Sequence, residues 1–126
     1  MKILESSENY LETIHILKKE KGHVRAIDIV NYLGFSKPSV SIAMKQLEAN
    51  GYIFRDSSGH IFLTDEGSEI AVTIFERHKL LTDFFTALGV SGETAINDAC
   101  KVEHHISSET FECLRENMEK IKASLK

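Results

Sequence analysis

The segment RAIDIVNYLGFSKPSVSIAMKQLEANGYIFR, residues 25–55, contains two short helical patterns separated by a glycine. Apolar side chains recur at helical spacing over residues 25–33 and again over residues 37–49. Gly34 ends the first pattern, and Ser36 is placed as the N-cap of the second. Two short helices joined by a tight turn are typical of the helix-turn-helix motif.

The residues on either side of this segment extend the motif. Ser6–Lys19 has helical periodicity, and Tyr52–Arg55 and His60–Leu63 are short strand-like runs. Between these runs stands DSSG, residues 56–59, a composition typical of a hairpin turn. Three helices followed by a two-stranded hairpin form the winged version of the motif. We therefore predict a winged helix-turn-helix domain over residues 1–64.

Charge is distributed unevenly along the chain. The whole chain has a net charge of −4, whereas residues 18–55 contain seven basic and three acidic residues, a net charge of +4. Lys37, Ser41 and Lys45 stand at i, i+4 and i+8, on the face of their helix opposite its apolar side. Lysines and small hydroxyls can contact phosphates and base edges, so this face predicts DNA binding. The alternative is a solvated face on a small helical domain.

The candidate DNA-binding residues extend beyond this one face to the turn before it and to the wing. They are Arg25, Ser36, Lys37, Pro38, Ser39, Ser41, Lys45 and Arg55. We expect Lys37, Ser39 and Ser41 to enter the groove, while Lys45 and Arg55 contact phosphates.

Length and composition indicate one ordinary globular protein. No apolar run reaches membrane-spanning length, and the N-terminus lacks the basic and apolar pattern of a signal peptide. The two cysteines have no tight pairing motif, which fits a reducing compartment. We therefore expect a cytoplasmic protein with no membrane partner.

The stretch ACKVEHHIS, residues 99–107, carries three types of metal ligand. Cys100, Glu103 and His104 stand at i, i+3 and i+4, so on a helix they point to one side. Thiolate, carboxylate and imidazole all bind transition metals. Glu103 interrupts an apolar stripe, and a cation would compensate its charge there. In the alternative interpretation Glu103 reaches water and Cys100 belongs to the core.

The second half of the chain is predicted to be almost continuous helix. A long helix is expected from the N-cap Thr64 to about Leu88, a second over Gly92–Ile106, and a last one from Ser107 onward. His78 lies on the apolar side of the long helix, where a histidine is most often a satisfied core residue. The apolar stripes of the long and last helices indicate either a dimer interface or packing within the chain.

Four segments carry a family signature: ENYLETI at residues 8–14, FSKPSVS at 35–41, RHKLL at 77–81 and NDACKVEHHIS at 97–107. Together they make the chain resemble the metal-dependent transcriptional repressors of the diphtheria toxin repressor and manganese transport regulator family. The shortness of the chain resembles the manganese-regulator branch, which lacks the SH3-like domain of longer members. The expected fold is mainly α, with the winged helix-turn-helix followed by a helical dimerisation and metal-binding domain over residues 65–126.

The resemblance implies six metal ligands at positions on three helices. They are Asn9, Glu12, His78, Cys100, Glu103 and His104. Family members usually have Asp or Met where this chain has Asn9, and the manganese branch tends to have a carboxylate at position 100. A thiolate is a softer ligand and shifts the preference toward iron, cobalt or zinc. The implied cofactor is Mn²⁺ or Fe²⁺, with Zn²⁺ and Co²⁺ as further candidates.

The implied function is a repressor, and not an enzyme, that binds double-stranded operator DNA as a homodimer when it is loaded with metal. Metal would link the first helix, through Glu12, to the helices after the wing, and would hold the two recognition helices about one DNA turn apart. Three alternatives remain open. They are a regulator that senses a small molecule or oxidant through Cys100, a metalloenzyme with Glu103 as base, and a winged helix that binds proteins.

Overall fold

Six helices and one small hairpin make up residues 5–125, the part of the chain that this computed structural model describes. In chain order the elements are α1 Glu5–Lys21, α2 Ala26–Leu33, α3 Lys37–Ala49, β1 Ile53–Arg55, β2 Ile61–Leu63, α4 Asp65–Ala87, α5 Gly92–Val102 and α6 Ser108–Ser124. The predicted fold class and the predicted order of elements are confirmed.

The chain divides into two compact units, one up to Thr73 and the other from Ile74 onward. The division lies within α4. The domain boundary that we predict at residues 64–65, where α4 begins, stays a prediction.

The first unit packs three helices and the hairpin around one hydrophobic core. On α3, Val40, Met44 and Leu47 recur at i, i+4 and i+7, and all three are buried. The core side chains are Tyr10, Leu11, Ile14, Leu17, Val24, Ile29, Val40, Met44, Leu47, Ile53, Ile61 and Ala71. Burial of one stripe on each helix therefore fixes which face of α3 points outward.

The turn between α2 and α3 is built as its residue types predict. Gly34 follows α2 with a φ of +73°, a left-handed conformation that costs glycine little. The Ser36 hydroxyl accepts a hydrogen bond from the Ser39 amide at 3.2 Å and donates one to the Ser39 hydroxyl at 2.8 Å. Pro38 lies in the first turn of α3, where its missing amide proton is not needed. The tight turn of the motif is therefore confirmed.

A carboxylate holds the start of α2. Asp28 accepts a hydrogen bond from the Arg25 amide at 2.9 Å and a second from Lys21 Nζ at 3.2 Å. The backbone hydrogen bond is the main cause that holds the pKa of Asp28 below its ordinary value, and Lys21 contributes further. Arg25, a candidate DNA-binding residue, is thus anchored at the N-terminus of α2.

The wing is an antiparallel hairpin in which Phe54 pairs with Phe62. One carboxylate oxygen of Asp56 accepts hydrogen bonds from the amides of Ser58 and His60, both at 2.9 Å, and so closes the predicted turn. The Ile61 amide donates to the Val24 carbonyl at 2.7 Å, which ties the wing to the loop before α2.

Gly67, in the first turn of α4, is closely approached by the backbone of the wing. A Cβ atom at this position would lie 2.0 Å from the Tyr52 carbonyl oxygen. That carbonyl cannot easily move, because it accepts the hydrogen bond of the Thr64 amide at 3.0 Å. The Thr64 hydroxyl in turn accepts from the Gly67 amide at 3.2 Å, which confirms Thr64 as the predicted cap.

We expect Gly67→Ala to lower the free energy of unfolding by about 1–3 kcal/mol, the usual cost of overpacking a closed site. Urea denaturation followed by circular dichroism measures the effect. Gly92→Ala is the matched control, since a Cβ there would meet no atom within 4 Å. Equal stability of the two variants would contradict the close approach.

The second unit contains the C-terminal part of α4 together with α5 and α6. Its buried apolar side chains are Ile74, Leu81, Ala95, Ala99, Phe111 and Met118. Lys122 Nζ on α6 lies 3.0 Å from the Asp83 carboxylate on α4. Leu88, which follows α4, and Leu125, which follows α6, are 51% and 47% exposed.

Candidate metal centre and nucleic-acid interface

The helix that carries the ACKVEHHIS stretch is shorter than predicted. It ends at Val102 instead of Ile106, and Glu103 forms its C-cap. Beyond it the backbone tightens, because the His105 amide donates to the Val102 carbonyl at 2.9 Å, three residues back. The carbonyls of Glu103 and Ile106 accept hydrogen bonds from Arg77, which satisfies the turn from outside the helix. The prediction of one helix up to Ile106 was therefore wrong.

Three predicted ligands meet in the second unit in spite of this change. His78 Nδ1 lies 2.8 Å from Glu103 Oε2 and 3.7 Å from Cys100 Sγ. One ligand atom from each of the three residues lies within 4.8 Å of the others. His78 reaches the group from α4, whereas Cys100 and Glu103 reach it from the C-terminal end of α5. The arrangement brings together one nitrogen, one sulfur and one oxygen donor.

Glu103 is the most deeply buried member of this group. Its side chain is 0% exposed, and its Oε1 atom has no hydrogen-bond partner among the described residues. Cys100, in contrast, is exposed. The alternative interpretation, with Glu103 in water and Cys100 in the core, was therefore wrong on both points. A buried carboxylate oxygen without a hydrogen bond fits a site that receives a cation.

His104 lies beside the group but is not one of its three members. Its Nε2 atom lies 3.4 Å from Glu103 Oε1, and its side chain is only 1% exposed. Asn9 and Glu12 lie on α1 in the first unit. Glu12 is buried there, and the backbone carbonyl of Asn9 accepts a hydrogen bond from the Thr13 hydroxyl at 2.8 Å. The full set of six ligands stays a prediction.

Arg77 supports the metal-ligand group and was not singled out from the sequence. Its Nη1 atom donates to the Glu103 carbonyl at 3.2 Å and to the Ile106 carbonyl at 3.1 Å. Its Nη2 atom donates to the Ser108 hydroxyl at 3.1 Å, and the guanidinium lies 5.6 Å from the centre of the Phe111 ring. The only signal in the sequence is that Arg77 precedes His78 in the RHKLL run.

The candidate DNA-binding residues of α3 lie on one exposed side of the first unit. Lys37, Pro38, Ser39, Ser41 and Lys45 are all exposed. Two candidates have additional roles. Ser36 caps α3, as described above, and Arg55 forms an ion pair with Glu48 at 3.1 Å. Arg55 is therefore positioned against α3, with 30% of its side chain exposed.

Two family models match nearly the whole chain. Residues 2–61 match the iron-dependent repressor N-terminal DNA-binding domain, and residues 64–124 match the iron-dependent repressor metal-binding and dimerisation domain. The chain belongs to the iron-dependent repressor family. Its two halves thus carry the DNA-binding domain and the metal-binding domain of a metal-dependent transcriptional repressor.

Individual members of this family are similar to the chain over most of its length. Transcriptional regulator MntR of Escherichia coli (strain CFT073) is 39% identical over 86% of this chain and 70% of its own length. HTH-type transcriptional regulator MntR of Bacillus subtilis (strain 168) is 34% identical over 81% of this chain and 72% of its own length. A solved manganese-dependent transcriptional repressor in complex with manganese is 25% identical, with a TM-score of 0.75. The alignment covers 94% of this chain, which spans about half (52%) of that solved chain.

The comparisons support a metal-responsive family and give no support to the alternative in which Cys100 senses an oxidant or a small molecule. Among residues 5–125, no helix is both long enough and apolar enough to cross a membrane.

Proposed function

We propose that this protein is a repressor of metal-ion homeostasis that binds double-stranded operator DNA as a homodimer when it carries a divalent transition metal. The observation that carries the proposal is the group of His78, Cys100 and Glu103, in which the donor atoms already converge. We place its action in the cytoplasm and assign it no enzymatic activity.

The metal ligands that we propose are the three converging residues, together with His104 and with Asn9 and Glu12 of α1. A bound divalent cation would supply the positive charge that the buried carboxylate of Glu103 lacks. Glu103 also fixes the ring of His78 through its 2.8 Å contact with Nδ1. Arg77 holds the backbone that carries Glu103, so the position of that carboxylate depends on α4 as well as on α5.

The donor set favours a transition metal over Mg²⁺ or Ca²⁺, because imidazole and thiolate are poor ligands for those two ions. We propose Mn²⁺ and Fe²⁺ first, because one similar structure is a manganese-dependent repressor and the matching family models describe iron-dependent repressors. The thiolate of Cys100 adds affinity for Fe²⁺, Co²⁺ and Zn²⁺ over Mn²⁺.

On the DNA side, we propose that the exposed face of α3 enters the major groove. Lys37, Ser39 and Ser41 would contact the groove, and Lys45 would contact phosphates. Arg55 would reach a phosphate from the wing while Glu48 holds its guanidinium in place. Arg25 and Ser36 present the N-termini of α2 and α3, which favour phosphate oxygens.

Fluorescence anisotropy with labelled DNA from the region upstream of the gene tests this function directly. The protein is titrated anaerobically, first with chelator and then with Mn²⁺, Fe²⁺ or Zn²⁺. We expect binding to appear only with metal and to weaken steeply as salt rises, because phosphate contacts release counterions. Equally tight binding with chelator would overturn the metal-responsive function. Light scattering at the same protein concentration checks for the homodimer.

A further inference from the structure

The face of α3 that points away from the core has an apolar side chain at its centre. Ile42 lies two positions from both Val40 and Met44, and two positions are slightly more than half a helical turn. Because Val40 and Met44 are fully buried, Ile42 points directly outward. It is 58% exposed, more than any other large hydrophobic side chain in the described part of the chain.

Positive and hydroxyl-bearing side chains lie beside this isoleucine. Lys37, Ser41 and Lys45 lie on one side of it along α3, and all three are exposed. Between Lys37 and Leu47 the helix contains no acidic residue. An isolated exposed isoleucine is ordinary on a protein surface. Here, however, it occupies the middle of the helix face that the proposed function places in the major groove.

A second apolar surface lies beside this face. The exposed side of α2 and the start of α3 enclose a cleft of about 420 Å³, lined by Ala26, Ile27, Val30, Lys37 and Ser41. Ile27 is 45% exposed there. The apolar side chains of α2 therefore lie beside Lys37 and Ser41 of α3. The exposed isoleucine and the cleft, both next to lysine, suit a partner whose surface carries apolar groups among negative charges.

We infer that Ile42 reads thymine by packing against its 5-methyl group in the major groove. Only thymine presents a methyl group there, and apolar side chains recognise it by direct contact. Ile42 has no hydrogen-bonding atom, so it cannot select guanine, cytosine or adenine through their polar edges. Lys45 holds a phosphate and Lys37 contacts the groove, and together they set the register, whereas Ile42 adds a preference for thymine at one position of each half-site. The inference rests on the proposed function.

Uracil provides the matching probe, since it pairs with adenine as thymine does and lacks only the 5-methyl group. A duplex is selected from a random-sequence library by the Mn²⁺-loaded protein and then synthesised with thymine or with uracil. Burial of one methyl group corresponds to about a fourfold change in affinity, and two half-sites to about fifteenfold. We expect the wild-type protein to prefer the thymine duplex by about that factor.

Ile42→Val and Ile42→Thr form a matched pair, because valine and threonine have the same shape and differ by a methyl and a hydroxyl group. We expect Ile42→Val to keep most of the preference for thymine over uracil and Ile42→Thr to keep clearly less of it, because a hydroxyl replaces one of the two methyl groups that can contact thymine. Because the two side chains have the same shape, the comparison tests the apolar contact and not the size of the side chain. Ile96→Thr, at an exposed isoleucine of α5, should leave the preference unchanged.

Three results would overturn the inference. Metal-dependent binding with equal affinity for the thymine and uracil duplexes would refute it and leave the proposed function standing. If Ile42→Thr kept the full preference for thymine over uracil, the methyl contact would belong to another residue. Failure of the metal-loaded protein to select or bind any duplex would refute the proposed function, and this inference with it.

Discussion

Replacing Glu103 with glutamine is expected to weaken metal binding by at least about a hundredfold, since loss of a group that merely supports a ligand already costs roughly ten- to a hundredfold. Glu103 is fully buried beside His78, so no water can take over the role of its carboxylate. The amide has a similar shape but no charge, and therefore offers a cation a much weaker oxygen ligand. Metal-dependent DNA binding should disappear together with metal affinity.

Thermal unfolding separates this effect from DNA binding. A metal that binds only the folded protein stabilises it by about 2.7 kcal/mol at a hundred times its dissociation constant, which raises the Tm by several degrees. We expect Mn²⁺ or Zn²⁺ to raise the Tm of the wild-type protein and to leave that of Glu103→Gln unchanged. Isothermal titration with the metal alone measures the affinities.

Glu93→Gln is the matched control, since Glu93 lies exposed in the first turn of the same helix. It removes the same charge from α5 and should keep the wild-type metal affinity. If Glu103→Gln bound metal as tightly as Glu93→Gln does, Glu103 would not be a ligand. The 2.8 Å contact of Glu103 with His78 would then be purely structural.

The arrangement of secondary structure was predictable because its signals are local. Gly34, Ser36 and Thr64 each act on the backbone within four residues, and the structure places each of them at the predicted helix boundary. The apolar spacing predicted over residues 37–49 likewise corresponds to a buried side of α3, which contains Val40, Met44 and Leu47. Such features need no knowledge of the rest of the chain.

The candidate metal centre was predictable only in part. Cys100 and Glu103 share a short stretch, so helical spacing alone places them together. His78 is more than twenty positions away, and only the family resemblance assigned it to the same group. The end of α5 at Val102 could not be predicted from residue identity. Arg77 donates hydrogen bonds to backbone carbonyls of the turn that follows the helix, and the sequence does not reveal these bonds. Ile42 was overlooked for another reason, since a polar outer face was expected on α3.

Replacing Arg77 with methionine is expected to lower the stability of the protein strongly. The guanidinium makes two hydrogen bonds to backbone carbonyls of the turn after α5 and one to Ser108, all within 3.2 Å. Methionine fills similar apolar volume but leaves those carbonyls without a donor. We expect the free energy of unfolding to fall by about 2–4 kcal/mol, since hydrogen bonds to a charged group contribute about 1.5–3 kcal/mol each and are partly replaced by water. Urea denaturation of the metal-free protein measures this loss.

A second measurement distinguishes positioning of Glu103 from a general contribution to stability. If Arg77 positions the carboxylate through the Glu103 carbonyl, Arg77→Met should also weaken metal binding by roughly ten- to a hundredfold at a temperature where the protein is still folded. Arg77→Lys should rescue little, because a lysine cannot bridge two carbonyls and a hydroxyl in the same geometry.

The control for Arg77 is the exposed Arg115 of α6, whose ion pair with Glu112 lies at the surface. Arg115→Met should change the stability by less than about 0.5 kcal/mol and leave metal affinity unaltered. A destabilised Arg77→Met protein that binds metal with wild-type affinity would show that the turn after α5 stays in place without the guanidinium. In that case the geometry of Glu103 would have to come from its burial and from its contact with His78 alone.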